Sequence, residues 1–484
     1  MARKTIPYER FIGLDTVAQA ENMSERYLVA LKNAYVDFRG QIVKMGGKVS
    51  LSPIGKTVAV EHFGMDDAAF AVEAGGGTRI DAYSRAGLNF PNAFTGSPII
   101  DFTQFVNGIF FSVTGQNPLV YNGAAFAISA VTPQGGANAT IFKRLCIADV
   151  PGHETEFYVS KLDVNDFVVA GIGANDAAIF NIANELTAKD KIKGLGVVEG
   201  DKLAVFCQNE VLMYKADADI ANWEIVRDFR IPFGVFGRKT IKPVGTDLFF
   251  CSRVGLHSLR RAISGITLET ITLSSAVHGL FEDLVENVPS GKEPASVWNA
   301  NIGQYSIFFP TSDPLVTAKL SYTYEPGIGK GGHRSWSYSN DSTIIDGSFF
   351  ASQELLASID PAVGLAETED DWDEVTQPVD MQVLTPILWQ GAPDRIKQYH
   401  KFLLRVAGTA QLTIKFYNEL GTLLQTDTVQ PNPPTVFDPS VPAVAPHRPI
   451  ILGCRHRARG LQIEFICEGN GSLKILDFAL EVSY

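Results

Sequence analysis

The chain has 484 residues, 45% hydrophobic and 19% charged, so it is long enough for two or three domains and too apolar to be disordered. Its 41 Lys and Arg against 53 Asp and Glu give a formal charge of −12. That balance excludes a tight duplex-DNA binder, which needs clustered cations to displace counterions from phosphate.

Residues 1–22 show no hydrophobic period and read as an arm. MARKTIPYER is basic, but no apolar stretch of signal-peptide or membrane-spanning length follows it, so no membrane span is expected. Ser24 caps a predicted short helix in which Tyr27, Leu28, Leu31, Ala34 and Tyr35 fall at helical spacing. Arg39-Gly40 then turns the chain into a predicted strand over 41–44. Residues 1–50 are thus expected to form an N-terminal arm with a short helix.

From residue 51 the period becomes that of strands. Groups of short strands recur at 57–84, 99–131, 144–167, 196–227, 243–261, 296–340 and 343–360, bounded by Gly, Asp and Asn turns. The clearest copy is PVGTDLFFCSRVGLHSLRR, 243–261, in which Leu248–Phe250 and Val254–Leu259 flank a polar break at Ser252 and Arg253. A spacing of about 40–50 residues per group is that of propeller blades. The expectation is an irregular β-propeller of six or seven blades over 51–378, with His257 half-exposed on its strand. Two further helices are predicted within it, at 176–186 and 276–288.

The acidic run ETEDDWDE, 367–374, reads as a solvated loop closing the repeat region. Beyond it, about seven strands in roughly 105 residues, joined by a Pro-rich connection at 430–449, predict a β-sandwich over 379–484. The fold class is therefore all-β.

Motifs for chemistry are weak. Gly55-Lys56-Thr57 resembles the end of a phosphate-binding loop, but Ser50 stands where its first glycine belongs and a strand follows in place of a helix. Glycines at 327–332 open no helix either. The five cysteines are scattered without paired spacing, which points to buried free thiols and to neither a disulfide framework nor a metal site. Acidic residues in blade loops (Asp163, Asp166, Asp176, Asp217, Asp219) do not recur from blade to blade, so no acid and base pair emerges. The reading is a non-enzyme with no cofactor. Its candidate contact residues are cationic: Arg3, Lys4, Arg26, Arg260, Arg261 and the CRHRAR cluster with Arg455, Arg457 and Arg459.

The feature order resembles the tail tube-end proteins of short-tailed bacteriophages, the β-propeller nozzle or tail-hub family. The resemblance rests on SERYLVALKNAYVDFRGQIVKMGG, then GTDLFFCSRVGLHSL, GQYSIFFP and RSWSYS, then RIKQYHKFLLRVAGTAQLTIKFY. Lys44-Met45-Gly46-Gly47 replaces the family's basic Pro-Gly step. The resemblance implies a virion protein assembled in the host cytoplasm as a homo-oligomeric ring, commonly a hexamer. Such a ring continues the DNA-ejection channel between adaptor or portal-side proteins and tail fibre or tip proteins. An acidic wall suits that role, because it repels phosphate and lets DNA slide. The alternatives are a carbohydrate-active or lectin-like propeller and a non-viral scaffold for other proteins.

Overall fold

The computed structural model describes the chain apart from residues 1–2, 9, 21, 38, 53–54, 63–67, 75, 83–88, 97, 107, 130–132, 172, 174, 188–189, 261–271, 326–332, 351–352, 362–364, 370–378, 391–392, 432–448 and 470. Arg261, the glycine-rich stretch at 327–332, most of the acidic run and nearly all of the Pro-rich connection lie outside the described residues.

The expected propeller is present. Six blades are each built from one continuous stretch of chain: 57–95, 101–128, 137–181, 192–231, 242–258 and 295–342, here blades 1 to 6. A composite closing blade completes the ring. Its strands Ile344–Phe350, Gln353–Ser358 and Leu365–Glu369 come from late in the chain, and its outer strand Gly47–Ser52 comes from the start. The boundary expected at residues 50 and 51 therefore falls inside a strand.

The first strand of each blade is the inner one, and from blade 2 round through the closing blade to blade 1 these first strands pack side by side. Blade 5 shows why the sequence folds this way. Lys242–Val244, Asp247–Ser252 and Gly255–Ser258 form its meander, and Phe249, Phe250, Cys251 and Leu256 are buried on both faces. A strand covered on both sides loses the apolar–polar alternation and reads as a continuous hydrophobic run. His257 is fully buried, not half-exposed: its ring stacks on Phe233 at 4.1 Å and its Nε2 lies 2.7 Å from Ser252 Oγ.

Two predicted helices are strands. Ala178–Asn181 is the outer strand of blade 3, with Phe180 stacked between Phe157 and Trp223, at 4.9 and 5.6 Å, while Ile179 faces out. The decisive period there is two, not 3.6. Residues 24–36 form the short strands Tyr27–Leu28, Ala30–Lys32 and Ala34–Val36, with Asn33 at a φ of 51° kinking the chain between the last two. Pairing with distant strands outweighs the local helical spacing. The other predicted helix is present at His278–Glu286, with Phe281, Leu284 and Val285 on its buried face.

The C-terminal residues form the expected sandwich. One sheet is built on the long strands Lys397–Gly408 and Leu473–Ser483. The other carries Met381–Leu384, Leu461–Cys467, Leu412–Asn418 and Leu423–Val429. Phe402, Phe416, Phe465 and Phe478 fill the space between them, with ring centroids 5.2–6.3 Å apart.

The first fifty residues are not a free arm. Lys4–Tyr8 and Ile42–Lys44 both pair with Leu473–Ser483. Ala30–Lys32 inserts between blade 6 and Met381–Leu384, making one nine-stranded sheet that runs from propeller into sandwich. A single hydrophobic cluster follows it, joining Phe249, Tyr322 and Trp336 to Leu31, Val383 and Phe465.

Candidate functional site

The propeller centre is occupied by charged and polar side chains. A single turn of 3-10 helix, Arg238–Thr240, leaves blade 4 and sits against blades 4, 5 and 6. It fits because glycine stands where it approaches. A Cβ on Gly136 would lie 2.2 Å from an Arg238 Nη, and one on Gly194 would lie 2.4 Å from Ile241 Cδ1. Both are distances at which something must shift.

Arg238 is 6% exposed and its Nη2 donates to Asp149 Oδ2 at 2.7 Å. The same carboxylate accepts from Thr114 Oγ1 at 2.6 Å, and Glu293 Oε2 stands 3.8 Å from Arg238 Nε. Burial works against the guanidinium charge, but Glu293, Asp149 and Asp101 together hold its pKa above the ordinary value. The neighbouring Lys239 donates to Asp346, which is 1% exposed, and stands 5.2 Å over the Phe102 ring.

From this turn a belt of hydrogen bonds passes between inner strands. Asp346 Oδ2 accepts from Val60 N at 3.2 Å, and Ser348 Oγ donates to Glu61 Oε1 at 3.3 Å, tying the closing blade to blade 1. Gln104 donates to the His62 carbonyl at 3.3 Å, and Asp101 accepts from Asn138 N at 2.9 Å, carrying the belt through blade 2 to blade 3. Ser296 Oγ donates to the Lys239 carbonyl at 3.2 Å on the blade 6 side. Burial raises the pKa of both Glu61 and Asp101 above the usual carboxylate range, against the pull of nearby lysines and Arg238. Chemically the arrangement locks blades together through complementary charges. Sequence reasoning missed all of these residues, since they lie on different blades. The glycines facing the turn, Gly136 and Gly194, are themselves on different blades, so no local signal marked the cluster.

Most of the predicted contact residues are at the surface. Arg3 and Lys4 lie on the sandwich sheet, where Arg3 Nη1 pairs with Glu481 at 3.1 Å. Arg26 Nε donates to the Arg10 carbonyl at 3.2 Å. Arg260 Nη1 donates to Thr246 Oγ1 at 2.7 Å at the outer end of blade 5. Arg455, Arg457 and Arg459 are brought together, all exposed, while Cys454 and Ala458 between and beside them are buried. Among the described residues none of these three arginines makes an ion pair. His456 turns inward, its Nε2 2.6 Å from Gln425 Oε1, and burial lowers its pKa. All five cysteines are buried free thiols, with burial holding the Cys454 pKa up at about 12.

No protein-family model and no curated protein matches the chain. Solved structures do resemble it. An extracellular domain of a putative one-component system from B. thetaiotaomicron is 11% identical, with 78% of this chain and 44% of that one covered and a TM-score of 0.40. A protein from Lactobacillus plantarum is 10% identical over 60% of this chain and 86% of its own, with a TM-score of 0.38. The WD40 domain of SCAP from fission yeast is 10% identical over 87% and 97%, with a TM-score of 0.29. The chain spans less than half of the B. thetaiotaomicron protein it matches. At such identities and scores the likeness concerns architecture and carries no function.

Proposed function

We propose that this chain is a non-enzymatic structural protein of a phage tail, assembling with copies of itself into a ring that continues the DNA-ejection channel. Adaptor or portal-side proteins on one side and tail fibre or tip proteins on the other are its partners, and the virion is its place of work. The observation that carries the reading is mechanical continuity. The sheet that runs from blade 6 through Ala30–Lys32 into the sandwich joins the two parts by strand pairing. A ring subunit that holds its shape under internal pressure needs such a body, whereas a ligand-gated receptor needs moving parts. The charged lock at the propeller centre adds to the same rigidity, and it leaves outer surfaces as the working ones. The order of sequence features shared with tail tube-end proteins supplies the rest of the argument.

Mass photometry and negative-stain imaging of the full chain test the proposal. Closed rings of a single stoichiometry, commonly six, are expected. A chain that stays monomeric at every concentration, with no ring in the images, overturns it.

A further inference from the structure

The exposed arginine row has an apolar border. The Lys397–Ala458 register places Ile396, 55% exposed, beside Arg459. Glu419 Oε2 accepts from the Arg459 backbone N–H at 3.2 Å, which brings the 83% exposed Leu420 to the same end. Arginine side chains with an aliphatic rim and no ion-pair partner among the described residues have the composition of a binding surface, not of an ordinary solvated turn.

The chain also carries the complement. Helix His278–Glu286 buries Phe281, Leu284 and Val285 and exposes Glu282, Asp283 and Glu286. No Lys or Arg occurs from residue 278 to 291. Among the described residues, only His278, 3.3 Å from Glu282, is within ion-pair distance of these carboxylates. The two features lie on different elements, one in the C-terminal sheet and one between blades 5 and 6, and no ion pair joins them within a copy.

We infer that the Arg455, Arg457 and Arg459 row of one copy docks on the Glu282, Asp283 and Glu286 helix face of the next, forming a head-to-tail contact. This deepens the ring reading and rests on it. Two different patches on each copy make a heterologous interface, which propagates and closes when the rotation allows. The charges set register and encounter rate, and Ile396 and Leu420 supply apolar area.

Charge swapping tests it on the full chain. One triple variant carries Arg455→Glu, Arg457→Glu and Arg459→Glu; the other carries Glu282→Lys, Asp283→Lys and Glu286→Lys. Circular dichroism melting checks that each remains folded, which surface positions favour. In mass photometry each variant alone is expected to be monomeric where the wild type is assembled, and an equimolar mixture is expected to assemble again. The mixture restores both contacts, because one variant then presents two acidic patches and the other two basic ones. Higher salt is expected to loosen the wild-type assembly. Single variants that still assemble, or a folded mixture that does not, overturn this contact and leave the ring proposal standing. A wild type that never assembles overturns both.

Discussion

Arg238 illustrates how a single side chain can hold several blades. Its guanidinium offsets Asp149 and Glu293 in a place where neither carboxylate has much water, and 5% of the side chain is exposed. Removing one member of a buried charge cluster leaves the others uncompensated, at a cost of about 3–5 kcal/mol. Arg238→Ala is therefore expected to lower the unfolding free energy in chemical denaturation by that amount, with a correspondingly lower midpoint, while Arg238→Lys, which keeps the charge, recovers part of it. An unchanged midpoint for Arg238→Ala would remove the central lock from the account. The sequence could not announce this cluster, because Arg238, Asp149 and Asp346 are brought together by closure of the ring and by no local spacing.

His257 makes a second claim at the same scale. Burial lowers its pKa from 6.5 to about 3. The folded state thus binds fewer protons than the unfolded state between those values, so stability rises with pH across that window and is lost as pH falls through it. The slope due to this one group is about 1.4 kcal/mol per pH unit. His257→Gln, compared with wild type in denaturation at pH 7 and pH 4.5, is expected to shrink the difference between the two pH values by about 2–3 kcal/mol, the slope carried over the two units below 6.5. Equal pH dependence in the two proteins would contradict it. In the sequence His257 reads as half-exposed because a polar residue in a strand is taken to face water. Its real partners, Phe233 and Ser252, come from a neighbouring loop and from across the same hairpin.

At the scale of elements, strands were readable and helices less so. Blade 5 was visible in PVGTDLFFCSRVGLHSLRR because its apolar run and turn residues are local. Helix His278–Glu286 was visible because Phe281, Leu284 and Val285 share one face that a 3.6 period detects. Residues 24–36 misled for the opposite reason: Leu28, Leu31 and Ala34 fit a helical stripe equally well, and what decides between the two is pairing with Met381–Leu384 and blade 6, more than 300 residues away. Leu31 is 2% exposed at that junction. Leu31→Ala is expected to destabilise the chain by about 2–5 kcal/mol, the range for emptying a buried leucine site. Calorimetry of the wild type is expected to show propeller and sandwich melting in one transition. Two well-separated transitions would mean that the shared sheet does not couple them.

For the molecule as a whole, the sequence carried the fold class and the succession of blades and sandwich. It did not carry the way the first fifty residues are distributed between the two. Gly47–Ser52 closes the propeller, whereas Lys4–Tyr8 and Ile42–Lys44 complete the sandwich. The proposed contact surface was partly legible. CRHRAR stood out as the most basic short cluster, but only the structure separates three outward arginines from an inward histidine. The acidic face on helix His278–Glu286 went unnoticed as the proposed counterpart, since charge complementarity between copies would leave no trace in spacing along one chain.

The composite closing blade also bears on how the protein is made. Strand Gly47–Ser52 leaves the ribosome early and must wait for Leu365–Glu369 before it has a partner, and Lys4–Tyr8 waits for Leu473–Ser483 at the far end of the chain. Contacts of such long sequence separation form late and slowly. Until they form, the nascent chain displays unpaired strand edges that are prone to aggregate. If the proposed ring forms, its assembly waits for the end of synthesis, because an unfinished copy lacks both the closed propeller and the arginine row.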